Sequence, residues 1–263
     1  YIDIGINITN RELKREWKAV VQRAVAAEVR TVVLTGTTVQ NTEESIRYAH
    51  LWFEQEGSRT MRCTAGVHPH YAKTFNAQTY SKLKALLNDP FVTAVGECGL
   101  DFNRNLSSRV EQIHAFREQV RLGCETGYPL FVHEREAHAA LLEVLDDFTG
   151  EIESRLPPLV VHCFTGTAAE AAEYIRRGYY IGFTGTVCKK ERGAPLRALL
   201  PRIPLDRIMI ETDAPYMGFL KTRRSSEPAD VVLVAAEIAR CLSADTSAVR
   251  EATTRNATRF FRL

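Results

Sequence analysis

The chain has 263 residues, 45% of them hydrophobic and 25% charged, which fits a soluble globular protein with a full core. Lysine and arginine outnumber aspartate and glutamate by only 34 to 32, a formal net charge of +2. That balance excludes a global basic field, so any attraction to nucleic acid must be local, and the lack of an apolar run near ~20 residues excludes a membrane-spanning helix.

Short apolar runs recur along the chain with helix-sized gaps between them. In order they are Tyr1–Ile6, Thr31–Thr35, Arg62–Val67, Val92–Glu97, Pro129–His133, Leu159–His162, Tyr179–Phe183 and Arg207–Glu211. They are continuous and β-branched rather than alternating, as parallel strands covered on both faces should be. The intervening segments carry helix signals. Leu13, Trp17, Val20, Val21 and Ala24 form one apolar stripe, and Ile113, Phe116 and Val120 another. Ser108 with Glu111 and Thr167 with Glu170 read as capping boxes, and Gly178 ends a helix just before a strand. Eight such repeats predict an α/β fold, a single (β/α)8 TIM-type barrel over residues 1–263, since such barrels typically take ~250 residues. An open doubly wound sheet would show a glycine-rich turn after its first strand, and none follows Ile6.

The six cysteines are scattered without a CxxC pair, which predicts reduced thiols in a cytoplasmic protein. No signal-peptide pattern opens the chain, but it begins at Tyr1 rather than Met, so the question of a leader stays open.

Four of the runs end on residues that ligate metals. Glu97, His133, His162 and Asp213 fall at or just past the ends of the fourth, fifth, sixth and eighth candidate strands. Barrel active sites are built at that rim. Singly, each has an ordinary explanation as a hydrogen-bonded polar group. Together, burying all four without a cation would cost several kcal/mol of desolvation. Two imidazoles and two carboxylates suit a catalytic site and do not choose between Mg²⁺, Zn²⁺ and Mn²⁺.

The segments GECGLDFNRN, PLFVHERE, VVHCFTGT and IETDAPY, with AGVHPHY and YIDIGINIT, resemble the signature blocks of the TatD-type metal-dependent deoxyribonucleases, a branch of the amidohydrolase-like metal-dependent hydrolases. The blocks run from Tyr1 to Asn256. The resemblance implies a (β/α)8 barrel, metal ligation by Glu97, His133, His162 and Asp213, and a phosphate contact by His68. It also implies a 3′–5′ exonuclease on single-stranded or frayed DNA, with RNA as an alternative partner. Catalytic roles are expected for Asp213, as proton acceptor, and Glu97. Substrate contacts are expected from His68, His70 and Arg135. Strong base specificity is not expected, and a monomer is favoured.

Two departures qualify the resemblance. Many relatives carry Asp-x-His-x-His on the first strand, where this chain reads Asp3-Ile4-Gly5-Ile6-Asn7. One well-held metal and a weak or absent second position are therefore expected, with Asp3 surviving as a weak ligand or outer support. Relatives often carry Arg-Asn-Glu-Pro where this chain has Arg224-Ser225-Ser226-Glu227-Pro228, which puts the rim contact of that Arg-Asn pair in question. Arg104, Lys189, Lys190, Arg192, Arg223 and Arg224 are expected around the mouth as guides for phosphate. Tyr71, Phe102 and Tyr216 are expected to stack bases, and Phe164 to pack in the core. The competing readings are an amidohydrolase or esterase, including removal of an acyl group from transfer RNA, and a scaffold that has lost catalysis.

Overall fold

The computed structural model describes residues 1–149 and 156–263. The strands are β1 Ile2–Ile6, β2 Thr31–Leu34, β3 Met61–Ala65, β4 Val92–Asp101, β5 Leu130–Arg135, β6 Leu159–His162, β7 Tyr180–Phe183 and β8 Ile208–Ile210. They pair in sequence order and in parallel. The sheet closes where the Asp213 N–H donates to the Gly5 carbonyl at 2.9 Å and the Asn7 N–H to the Ala214 carbonyl at 2.7 Å. This is the expected (β/α)8 barrel, with every candidate strand recovered.

Two apolar layers hold it. Inside, Ile2, Ile4, Val33, Ala94, Phe131, Val160, Tyr180 and Met209 fill the barrel, and Phe260 and Phe261 of the C-terminal helix Thr246–Phe261 pack against them. Outside, the helices bury their stripes against the strands, and Phe164 sits in this layer as expected. The side chains of Ser108 and Thr167 cap their helices reciprocally with Glu111 and Glu170. The first predicted helix is divided into Arg11–Lys14 and Trp17–Ala26, although its stripe stays buried through Leu13, Val20, Val21 and Ala24.

The fourth strand differs from expectation. It continues four residues past Glu97 to Asp101, through a register shift between Val95 and Cys98 against β5. Glycine makes the shift feasible. Gly96 has φ +141, and a Cβ there would lie 2.3 Å from the Phe131 carbonyl oxygen. The extension carries Asp101 up to the rim, where it pairs in register with Arg135.

Candidate metal centre

The rim surrounds a cavity of about 390 Å³, lined by residues from the ends of β1 to β6 and β8. Glu97 lies at its floor, 5% exposed. Three imidazoles converge on its Oε1: His162 Nε2 at 2.7 Å, His133 Nδ1 at 3.0 Å and His68 Nε2 at 3.2 Å. Asp213, His70 and Arg135 line the same cavity. The structure therefore gathers every site residue expected from the sequence.

The far nitrogen of each imidazole separates their roles. His162 Nδ1 faces Glu211 Oε2 at 3.3 Å, and Glu211 is fully buried. His133 Nε2 faces Asp101 Oδ2 at 3.5 Å, long for a hydrogen bond, and no closer partner meets this buried nitrogen among the described residues. A carboxylate on the outer nitrogen fixes the N–H there and leaves the inner lone pair for a cation, the usual arrangement of a metal-binding histidine. His68 is different. Its Nδ1 accepts the backbone N–H of His70 at 3.0 Å, so a neutral His68 must carry its proton on Nε2. Its inner nitrogen is a donor. The ligand-type atoms of His68, Glu97 and His133 all lie within 4.8 Å of one another, which makes them a metal-binding group by distance alone. The tautomer argues instead for Glu97, His133 and His162 as the set suited to a cation, with His68 suited to an anionic oxygen.

Electrostatics follow from burial in a crowd of acids. Burial favours the neutral form of Glu97, but the surrounding histidines outweigh it and hold the carboxyl well below its usual range. Burial opposes charge on His162, yet Glu97 and Glu211 pull its pKa well above normal. Burial lowers His68 to about 4 despite Glu97, so it is neutral at physiological pH. Asp213 is pushed up to about 7, mainly by burial, helped by Glu97 and Glu211 and opposed by His162. Buried carboxylates at Glu97, Asp101 and Glu211 around paired imidazoles, one of them with an unsatisfied nitrogen, fit a divalent cation.

The first strand explains the altered motif locally. Asn7 donates from Nδ2 to Asp213 Oδ1 at 2.9 Å and so fixes that carboxylate from the first strand. A Cβ at Gly5 would lie 2.6 Å from Glu211 Oε2, so the glycine leaves room for the buried carboxylate. Asp3 gives both its oxygens to Thr212, which braces the segment leading to Asp213.

Sequence reasoning overlooked Asp101 and Glu211. Each sits at an even spacing from an expected residue, Asp101 four after Glu97 and Glu211 two before Asp213, so strand alternation was the signal that could have found them. Of the basic residues expected around the mouth, only Arg104 lines the cavity. Arg223 is committed to Asp230 and the Ser225 carbonyl. Phe102 lies under the Arg109 guanidinium at 4.5 Å, while Tyr71 and Tyr216 remain 46% and 51% exposed at the cavity.

Comparison with known proteins places these features in context. A family model described as TatD related DNase matches residues 2–262. A 3′-5′ ssDNA/RNA exonuclease TatD from Cronobacter sakazakii is 43% identical over 265 residues, covering 98% of this chain and 97% of the relative. One from Edwardsiella piscicida is 42% identical over 268 residues, covering 100% and 99%. Among solved structures, a TatD homologue from Escherichia coli superposes with a TM-score of 0.88 at 25% identity, covering 100% of this chain and 98% of its own. A TatD family hydrolase from Entamoeba histolytica gives 0.89 at 22% identity, covering 99% and 97%.

Proposed function

The chain belongs to the family of TatD-related DNases, and from that premise we propose that it is a divalent-metal-dependent 3′–5′ exonuclease acting on single-stranded or frayed DNA, with RNA as a second substrate. The observation that carries this reading is the convergence of His133, His162 and His68 on Glu97 at the floor of an open cavity.

Glu97, His133 and His162 would hold one divalent ion, Mg²⁺, Mn²⁺ or Zn²⁺. That ion supplies an activated water near neutral pH and charge against the phosphoryl oxygens. The chain's own groups do the rest. Asp213 has one oxygen occupied by Asn7, which leaves the other to accept the proton of the attacking water. The neutral His68 donates from Nε2 to a non-bridging oxygen as charge builds on it. His70 is tied to Asp101 at 2.8 Å and borders the phosphate path, with Arg135 beyond it. Water oxygen bonds to phosphorus, the phosphorus–oxygen bond to the rest of the strand breaks, and the leaving oxygen takes up a proton.

The test is hydrolysis of a labelled single-stranded oligonucleotide beside a panel of esters and amides, with and without chelator. Chelator-sensitive cutting of the oligonucleotide alone supports the proposal. Turnover confined to esters or amides would move the chain to the amidohydrolase reading.

A further inference from the structure

The cavity mouth is unequal in charge around its circumference. Its lining holds two arginines, Arg104, just past β4, and Arg135, the last residue of β5. Both are exposed, and neither guanidinium has a partner among the described residues. The arc that runs from β8 through β1 to β2 is lined by Tyr216, Met217, Thr9, Asn10, Thr37 and Asn41 together with the Asn7–Asp213 pair, and it holds no lysine or arginine. Its side chains are tied to one another: Asn41 Nδ2 donates to Thr9 Oγ1 and Asn41 Oδ1 accepts the Thr37 N–H at 2.9 Å. Tyr216 is half exposed yet held at three points. Its N–H donates to the Asp213 carbonyl at 2.9 Å, its carbonyl accepts the Ser226 hydroxyl, and its own hydroxyl accepts Asn10 Nδ2 at 2.9 Å. An exposed ring fixed in this way is a preorganised stacking face rather than a loose surface side chain.

A nucleic-acid strand is unequal in the matching sense. Its 3′-terminal nucleoside ends in a neutral hydroxyl, whereas the rest of the strand carries one phosphate per nucleotide. We infer that the cation-free arc around Tyr216 and Asn10 receives the 3′-terminal nucleoside, with its base on the Tyr216 ring, while Arg104 and Arg135 receive phosphates of the remaining strand. A 5′-phosphorylated end placed in the same arc would press its terminal phosphate against Asp213 and uncharged amides. The missing cation in this arc thus favours a 3′-hydroxyl end over a 5′-phosphate end. A cavity of about 390 Å³ holds one nucleotide-sized group, at the small end of the ~300–1,000 Å³ of ligand sites. This inference rests on the exonuclease reading and adds the orientation of the strand and the groups that impose it.

The experiment follows single cleavages of 5′-labelled single-stranded oligonucleotides ending in a 3′-hydroxyl, a 3′-phosphate or a 3′-terminal abasic nucleotide. The first cut of the 3′-phosphate strand should be at least ~10-fold slower than that of the 3′-hydroxyl strand, because its added charge meets no cation. Later cuts of the same strand, which start from a hydroxyl, should run at the normal rate. An abasic terminus should raise KM by ~5- to ~100-fold, the range of one lost stacking contact. Tyr216→Leu should raise it similarly on the normal strand and add little on the abasic one. Tyr216→Phe, which keeps the ring, should stay near wild type. Arg104→Ala with Arg135→Ala should reduce the log–log salt slope of binding by about 1.4, two single-strand contacts' worth. Equal first-cut rates for hydroxyl and phosphate ends, or fully multiplicative effects of Tyr216→Leu and the abasic end, would overturn the assignment while leaving the exonuclease reading intact. Failure to cut any of the strands with metal present would overturn both.

Discussion

At the scale of single residues, the site turns on which nitrogen of each histidine is free. His133 and His162 present inner nitrogens backed by Asp101 and Glu211, while His68 has its Nδ1 engaged by a backbone N–H. Replacing His68 with Ala should therefore leave metal content unchanged and lower kcat by ~10²–10³-fold, the cost of one oxyanion donor. Loss of metal in that variant, measured by elemental analysis, would make His68 a ligand instead. Glu211→Gln should weaken metal binding by ~10–100-fold in a competition titration against a chelator, because it loosens His162 without removing a ligand. Asp213 carries a pH signature in the metal-free protein. Its pKa is raised in the fold, so below the ordinary aspartate range both states are protonated and the group contributes nothing. As pH rises toward about 7 the unfolded carboxyl ionises first, so stability from this group falls and then levels off. Asp213→Asn should remove that decline in urea unfolding and should cut hydrolysis by ~10²–10⁴-fold. The four strand-end residues were legible in the sequence because each closes an apolar run. Asp101 was not, because Gly96 and Gly99 make the GECGLD segment look like a turn rather than four more residues of strand.

At the scale of elements, β4 decides whether the site assembles. Its register shift, made possible at Gly96, sets Glu97 among the histidines and carries Asp101 to the rim. Gly96→Ala meets both a left-handed φ and a backbone carbonyl, so it should destabilise the protein by about 2–4 kcal/mol, read from the shift in urea midpoint. Phe131, fully buried, stacks on His162 with ring centroids 4.5 Å apart and 29° between planes. Phe131→Ala should cost about 3–5 kcal/mol and also free the His162 ring, so stability and metal affinity should fall together. The strands were readable because doubly covered parallel strands are continuous apolar runs, and the caps because Ser108 and Thr167 carry their glutamates three residues on. The break between Lys14 and Trp17 was not readable, since the apolar stripe continues across it.

At the scale of the whole molecule, a net charge of +2 leaves substrate capture to the mouth of the barrel. Only Arg104 of the six basic residues expected there lines the cavity, joined by Arg135. Distribution around a closed barrel depends on how each loop folds back, which residue order alone does not specify. Few phosphate contacts should give a shallow salt dependence, with binding falling by a log–log slope of magnitude about 1–3 in a fluorescence titration. If Glu97, His133 and His162 hold one divalent ion on which exonuclease activity depends, the product ladder from a 5′-labelled single-stranded oligonucleotide will show it, read after chelation and again after a divalent ion is restored. No products should form with chelator present, and a ladder shortening from the 3′ end should return with the ion. Undiminished cutting in chelator, or an intact strand after restoring each of Mg²⁺, Mn²⁺ and Zn²⁺, would remove the proposed metal centre from the reaction.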